Sequence, residues 1–210
     1  MGAVAAVLAV RMGLLPGRIG AGGSARGSAG ASSGENGVSE EGAAHEAPAA
    51  TGALLTAFRG TLTDAAGHTR TLAEFRGAPF VASVLYTRCA TVCPRVVAQL
   101  ARFERAAGES PAPHFVLFSL DPAHDTPADL RAFMTAHALD STRWTLLVPE
   151  PALLPPLASA LGVAWRPGPD GGIAHSAVIA MVDRSGRVRD RRVGLSGEPA
   201  ALVAAWRAVQ

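Results

Sequence analysis

Hydrophobic and polar residues are distributed unevenly along this chain. A short apolar stretch within residues 1–20 is followed by residues 21–53, which are rich in Gly, Ala, Ser and Glu and contain almost no large apolar side chain. Such a segment cannot bury enough surface to order itself, so we expect a flexible tether there. Periodic apolar positions begin near Leu54 and continue to the end of the chain. The pattern therefore predicts one folded domain over residues 54–210.

The periodic region predicts alternating strands and helices between two hairpins. The expected hairpins are 58–62 with 68–72 and 177–183 with 188–193, the single strands are 80–86, 114–120 and 144–148, and the helices are 94–107, 151–161, 199–209 and one that starts at Pro127 with Thr126 as its cap. This order is typical of a thioredoxin-like α/β sandwich with a mixed central sheet and an N-terminal β-hairpin.

Composition and charge narrow the classes of function. Apolar residues make up 49% of the 210 residues, which is enough for the core of a domain of about 150 residues. The formal net charge of +2 is too small to indicate binding to nucleic acid or to an anionic membrane surface. Every basic side chain is an arginine, which we attribute to genome composition and not to function.

The N-terminal apolar stretch fits no standard targeting segment. It is interrupted at Arg11 and ends at Pro16, whereas a membrane-spanning helix needs about 20 apolar residues. No positive charge precedes it, as one would in a signal peptide. The alternatives are a degraded export signal, the remainder of an anchor, or a disordered N-terminus.

The only two cysteines, Cys89 and Cys93, lie between the buried strand 80–86 and the helix that follows. Amide N–H groups and the positive end of a helix dipole favour a thiolate at such a junction. Two thiolates there can bind a soft metal, form a disulfide, or do both. The alternative is a pair of packed structural cysteines, but a matched pair at the end of a strand is an unusual way to fill a core.

A third ligand would favour metal binding over redox chemistry, and His175 is the best candidate. It follows the Gly-rich segment 168–174, predicted to be a flexible loop, and precedes the strand 177–183. In a thioredoxin-like fold this loop packs beside the cysteine loop. Two thiolates and one imidazole form a soft set that selects Cu(I), with Cu(II) possible if a weak fourth ligand joins. Zinc would need a fourth strong ligand, for which His124 is a candidate.

Two further candidates, Asp121 and Asp125, follow the predicted strand 114–120. Local chemistry alone explains their segment as a strand exit, a turn and a capped helix. In the functional interpretation both carboxylates come near the cysteine loop, where they would orient a ligand or contact a partner's basic surface. The sequence leaves both interpretations open.

Taken together, these residues resemble the Sco/SenC family of thioredoxin-like, usually membrane-tethered proteins. The resemblance covers roughly residues 54–210. It rests on Tyr86-Thr87, Cys89-x-x-Val92-Cys93-Pro94, Asp121-Pro122 with Asp125-Thr126-Pro127, His175-Ser176 before a hydrophobic strand, and Asp183-x-x-Gly186.

The resemblance implies a copper chaperone that binds copper through Cys89, Cys93 and His175. It also implies delivery of the ion to a copper-accepting protein, a subunit of cytochrome c oxidase, outside the cytosol. We accordingly expect a periplasmic monomer, with a tether to the inner membrane as one option. The family usually has Pro and Asp inside the cysteine loop, where this chain has Ala90 and Thr91. The loop is therefore less pre-organised and lacks a charge that could contact a partner.

Two enzymatic alternatives remain. A thiol–disulfide oxidoreductase would reduce the cysteines of an acceptor, with Cys89 attacking and Cys93 resolving or the reverse, and would not need the histidine. A peroxidase of the peroxiredoxin type would carry a Thr three residues before its cysteine, but Tyr86 occupies that position and Thr87 lies two residues before Cys89.

Overall fold

A computed structural model describes residues 52–109, 111–168, 171–195 and 197–210. The N-terminal apolar segment (1–20) and nearly all of the predicted tether (21–53) lie outside the described residues. The strands are β1 (Leu62–Asp64), β2 (Thr69–Arg70), β3 (Phe80–Leu85), β4 (Phe115–Ser119), β5 (Trp144–Pro149), β6 (Trp165–Pro167), β7 (Ile173–His175), β8 (Val178–Val182) and β9 (Val188–Val193), and the α-helices are α1 (Val92–Ala107), α2 (Pro127–Ala136), α3 (Leu154–Leu161) and α4 (Pro199–Arg207).

Seven strands form one mixed sheet in the order β2-β1-β5-β4-β3-β8-β9. Strands β3, β4 and β5 are parallel, whereas β1, β8 and β9 run antiparallel to their neighbours. β6 and β7 pair as a separate two-stranded hairpin. The predicted thioredoxin-like sandwich with a mixed central sheet is therefore confirmed.

The central strand β3 is buried on both faces, and its alternating side chains enter two different cores. Val81 and Leu85 join the core formed with α1 and α4, whereas Phe80 and Val84 join the core formed with α3. Strand β3 is thus held by packing on both sides. Its carboxyl end, where the cysteine loop begins, is correspondingly well fixed.

Helix boundaries follow local capping signals. α1 begins at Val92, two residues before the predicted start, and is followed by Gly108 with a φ of 73°. α2 begins at the expected Pro127, and Thr126 forms a capping box with Asp129. α3 begins at Leu154 and not at 151, because the residues before it form a turn in which the Leu153 N–H donates to the Glu150 carbonyl.

The first hairpin is shorter than predicted, and its first strand is Leu62–Asp64 and not 58–62. The Asp64 carboxylate accepts the N–H groups of Ala66 and His68, which closes the turn directly after β1. The second expected strand, 68–72, ends at Arg70 because Thr71 and Glu74 form a capping box that starts a 3-10 helix, Leu72–Phe75. Local side-chain hydrogen bonds therefore override the apolar pattern here.

The described residues include no helix long and apolar enough to cross a lipid bilayer.

The turn between β8 and β9 depends on one carboxylate. Asp183 accepts hydrogen bonds from the N–H groups of Ser185 and Arg187 and pairs with Arg189. Burial opposes ionisation of this carboxyl group, but these hydrogen bonds outweigh it and lower the pKa of Asp183 to about 2. Gly186 in the same turn has a φ of 85°, and a Cβ there would lie 2.2 Å from Thr56 Oγ1.

We predict that Asp183→Asn lowers the free energy of unfolding at pH 7 by about 2 kcal/mol. The ionised carboxyl group stabilises the folded state by about this amount, because folding lowers its pKa from 3.8 to about 2. Because the pKa of the folded state is depressed, this contribution is complete above pH 4 and is lost as the pH falls from about 4 to about 2. Urea unfolding at several pH values measures it. The control Asp190→Asn breaks a more exposed pair with Arg192 and should cost less than 1 kcal/mol. Equal losses in the two variants would contradict the assignment.

Candidate metal centre

The cysteine loop (residues 86–91) connects the end of β3 to the start of α1. Cys93 lies in the first turn of α1 and is fully buried, whereas Cys89 lies in the loop with 7% of its surface exposed. The backbone N–H of Cys93 donates to Cys89 Sγ at 3.3 Å. Both cysteines are free thiols. The structure therefore places the two sulfurs at the N-terminus of a helix, as the sequence predicts.

The two thiols differ in acidity. Burial disfavours the Cys89 thiolate, but hydrogen bonds from Cys93 and from the N–H groups of Thr91 and Val92 outweigh burial, so the pKa of Cys89 is lowered. Burial raises the pKa of Cys93 strongly, and the neighbouring Cys89 raises it further. At neutral pH Cys89 is thus the more ionised sulfur, and Cys93 keeps its proton until a metal or a bond to sulfur displaces it.

Strand pairing brings His175 to the cysteine loop. β8 runs antiparallel to β3, so the start of β8 lies beside the end of β3, and the Ser83 hydroxyl donates to the Val178 carbonyl at 2.7 Å. His175 is the last residue of β7, three residues before β8. The expectation of a flexible loop over 168–174 is therefore wrong at its end, since Ile173 and Ala174 belong to β7, which pairs with β6.

The orientation of the His175 ring exposes one nitrogen to the sulfurs. Nδ1 lies 3.1 Å from the Ser176 carbonyl, and because a carbonyl only accepts, Nδ1 carries the proton. Burial lowers the pKa of His175, which keeps the ring neutral at neutral pH. The lone pair of Nε2 is then available, and this atom lies 3.8 Å from Cys93 Sγ.

The three candidate ligand atoms converge. The sulfurs of Cys89 and Cys93 and a ring nitrogen of His175 all lie within 4.8 Å of one another. Atoms bound to one ion at about 2.3 Å lie roughly 4 Å apart, so small side-chain adjustments would enclose an ion. Among the described residues this group does not include His124, which contacts Asp121 and Arg88 instead.

Tyr86 supports the histidine from the cysteine side. Its hydroxyl accepts the N–H of Ile173 at 3.2 Å, and its ring meets the His175 ring edge-on with centroids 6.0 Å apart. The first residue of the cysteine loop thereby holds the strand that carries the third candidate ligand. In the sequence Tyr86 is marked only by the Tyr86-Thr87 motif at the end of the predicted strand 80–86, which does not indicate this contact.

Asp125 lies beneath the cysteine loop and is 5% exposed. Its carboxylate accepts the N–H of Thr87 at 3.1 Å and the Thr87 hydroxyl at 2.6 Å. It also accepts the hydroxyl of Ser119, the last residue of β4. Asp125 thus ties the cysteine loop to the neighbouring parallel strand, although it contacts no candidate ligand directly.

Asp121 makes a second connection to the loop. It is 6% exposed and accepts a hydrogen bond from the Arg88 guanidinium at 2.6 Å. The His124 ring lies 2.7 Å from its other oxygen. Burial opposes ionisation of Asp121, but the hydrogen bonds from Arg88 and His124 outweigh it and lower the pKa of the carboxyl group. Both aspartates therefore bind the residues just before Cys89, which is the position expected for orienting groups.

Comparison with known proteins finds similar sequences and similar folds. A family model described as SCO1/SenC matches residues 48–209. The SCO1 protein homolog of Bacillus subtilis is 23% identical over 141 residues, which cover 63% of this chain and 71% of that protein.

Solved structures with similar folds include a SCO1/SenC family lipoprotein from Bacillus anthracis, with 23% identity and a TM-score of 0.66 over 75% of this chain and 96% of that one. Another is ScoI of Bradyrhizobium japonicum with copper bound, with 26% identity and a TM-score of 0.60 over 72% of this chain and 97% of that one.

We predict that Cys89 reacts with iodoacetamide about tenfold faster than Cys93 at pH 7, because it is the more exposed thiol and the one with the lowered pKa. The test is timed alkylation of the reduced protein, with the modified residue located by fragmentation of the peptide that contains both cysteines. Single Cys89→Ser and Cys93→Ser variants serve as controls. Equal rates for the two thiols would contradict the predicted difference.

Proposed function

Because the chain belongs to the SCO1/SenC family, we propose that it binds one copper ion through Cys89, Cys93 and His175 and delivers this ion to a copper-accepting protein. The observation that supports the proposal is the convergence of two sulfurs and one imidazole nitrogen within 4.8 Å. No other cysteine exists in the chain to complete a tetrahedral zinc site of the structural type.

The chemistry of the donors favours copper. Thiolates are soft ligands that select Cu(I), and a neutral imidazole also suits copper. The N–H groups at the start of α1 stabilise the Cys89 thiolate, and the Nδ1 hydrogen bond fixes the His175 ring with Nε2 towards Cys93. Binding would release the Cys93 proton, so affinity would fall as the pH is lowered.

Delivery would proceed by exchange of ligands. Cys89 retains 7% exposure while Cys93 is enclosed, so an incoming thiol of the acceptor would reach the ion on the Cys89 side. Each protein–copper bond is then replaced by an acceptor–copper bond, and copper never enters free solution. Since Sco-family proteins are cytochrome c oxidase assembly proteins, we propose an oxidase subunit as the acceptor.

The proposed location is extracytoplasmic. The similar Bacillus anthracis protein is a lipoprotein, and lipoproteins are attached to a membrane by a lipid. For this chain we propose a periplasmic domain carried on a tether, and we expect it to act as a monomer. Fractionation of cells that express the full chain would test the location.

A second function is favoured by the unequal thiols. A solved Sco protein contains a disulfide switch, and here the pair of free cysteines lies within disulfide-forming reach after small movements. The Cys89 thiolate would attack an acceptor disulfide, forming a mixed disulfide and releasing one acceptor thiolate. Cys93 would then displace the second acceptor thiol, so that this protein is oxidised by two electrons and the acceptor is reduced by two.

We predict that the reduced protein binds one equivalent of Cu(I) and that His175→Ala weakens this affinity by about 100-fold, because one of three ligands is lost. Anaerobic competition with a chromogenic Cu(I) chelator measures the affinity. His68→Ala removes an exposed histidine remote from the sulfurs and should bind like the parent. Unchanged affinity in His175→Ala would refute the ligand assignment. Disulfide exchange retained in that variant would show that the two activities are separable.

We also predict that Thr87→Val lowers the Cu(I) affinity by roughly 10-fold, because the bond from the Thr87 hydroxyl to Asp125 holds the cysteine loop. Thr87→Ser keeps a hydroxyl at this position and should restore most of the affinity. The same chelator competition applies, with thermal unfolding measured alongside. If Thr87→Val matches the parent in affinity, the Asp125 contact supports the fold and not the metal centre.

A further inference from the structure

We propose that a basic strip on α1, formed by Arg95, Arg102 and Arg105, is the surface on which an acidic partner protein docks to exchange copper, with Leu195 completing it. This inference rests on the copper-delivery function proposed above. It adds the place of docking and the charge of the partner.

Helical spacing puts the three arginines on one face. Residues 95, 102 and 105 are separated by seven and three positions, which corresponds to successive turns along one side of an α-helix. All three are exposed, whereas Val96, Leu100 and Phe103 of the same helix are buried against the sheet. With a rise of about 1.5 Å per residue, the strip extends roughly 15 Å from Arg95 to Arg105.

The charges of the strip are not neutralised within the described part of the chain. No hydrogen bond or ion pair from described residues engages the guanidinium groups of Arg95, Arg102 or Arg105. The acidic residue Glu104 of the same helix faces another way, where it contacts Trp144 and Arg143. These three guanidinium groups on one helix face create a local positive field, although the net charge of the whole chain is only +2.

The surface between the arginines is concave and contains small apolar side chains. Arg95, Arg102 and Arg105 surround a cavity of about 470 Å³ together with Ala98, Ala101 and Leu195. An apolar floor with a cationic rim fits a protein surface that presents carboxylates around a small apolar side chain.

This surface lies on elements near the candidate metal centre, although Arg95 and Cys93 project from different sides of α1. Arg95 lies two residues after Cys93 on α1. On the other side, Leu195 follows Gly194, and the Gly194 N–H donates to the Ala177 carbonyl, two residues after His175. A partner seated on the strip would therefore lie next to the two elements that carry Cys93 and His175. The geometry suits a partner that takes or supplies the ion directly.

The observations favour a protein over a membrane or nucleic acid. An anionic bilayer presents a flat field of phosphates and would engage a broad basic face, whereas this strip is narrow and borders an open hollow. Guanidinium groups bind carboxylates in a bidentate manner, which gives a docked protein a fixed orientation. Fixed orientation is what direct ligand exchange at a nearby metal requires.

The test compares two charge-reversed variants of the full chain. Arg95→Glu/Arg102→Glu changes the strip, and Arg59→Glu/Arg184→Glu makes the same change in net charge at exposed arginines outside it. The probe is a synthetic peptide with two cysteines flanked by glutamates, and its twin has glutamines instead. Copper stoichiometry is measured first, and then the rate of Cu(I) transfer to each peptide is followed in low and physiological salt.

We expect the strip variant to transfer Cu(I) to the acidic peptide about tenfold more slowly than the parent, with the control variant unchanged. Added salt should reduce the difference, and the glutamine peptide should not distinguish the proteins. Equal transfer rates in variants that still hold one equivalent of copper would overturn the docking inference and leave the copper proposal intact.

Two further arms separate the remaining outcomes. The first uses a fluorescent acidic peptide with serines in place of its cysteines and measures its binding to the copper-free protein. This arm tests the strip even if the parent protein binds no copper. A parent that binds no copper would refute the copper proposal alone. Vesicles of phosphatidylcholine with 30% phosphatidylglycerol test a lipid surface. If the strip variant loses vesicle binding but binds the peptide like the parent, the strip is a membrane contact and the docking inference is wrong.

Discussion

The antiparallel pairing of β8 with β3 is the constraint on which the site depends. Parallel strands β3 and β4 place the cysteine loop and the two aspartates at one edge of the sheet, but neither carries the histidine. Only a strand that runs the other way beside β3 can begin where β3 ends. That strand, β8, is fully buried, so its register is specified strongly by the two cores. The position of His175, 82 residues from Cys93, follows from this register.

The sequence could predict what local patterns determine. Long apolar runs predicted β3, β4, β5 and β8, and the Thr126-Pro127 cap predicted the start of α2. The same local patterns predicted that the two thiols lie at the start of a helix. By contrast, β6 and β7 have three residues each and are largely exposed, so no apolar period marks them. The tertiary hydrogen bond of Tyr86 is one to which neither propensity nor spacing is sensitive. For Asp125 the sequence predicted a position near the cysteine loop but not its bond to Thr87.

The cysteine loop shows how tertiary contacts compensate for a local loss. With Ala90 and Thr91 in place of the usual Pro and Asp, the loop has no ring to fix its backbone. Its N-terminal half is instead tied down at three successive residues: Tyr86 bonds β7, Thr87 bonds Asp125, and Arg88 bonds Asp121. Cys89 follows directly and accepts the N–H of Cys93. The neighbouring strands thus fix the start of the loop, and the N–H groups of Thr91, Val92 and Cys93 hold the Cys89 sulfur.

The same substitution alters the electrostatics near the proposed copper site. Without an acid at position 91, the charged groups in and just after the cysteine loop are Arg88 and Arg95, and Asp121 neutralises the first of them. The exposed Arg95 therefore adds a positive charge to the helix dipole that favours an anion at Cys89, whereas the buried Asp125 carboxylate opposes an anion at Cys93. A positive field stabilises a thiolate approaching from outside as well as the resident one. An acceptor whose thiols lie in an acidic surface would be attracted to this end of the molecule, and the complex with it would be stabilised. A basic acceptor would be repelled. In this way the arginines would discriminate between acceptors without touching the metal ligands.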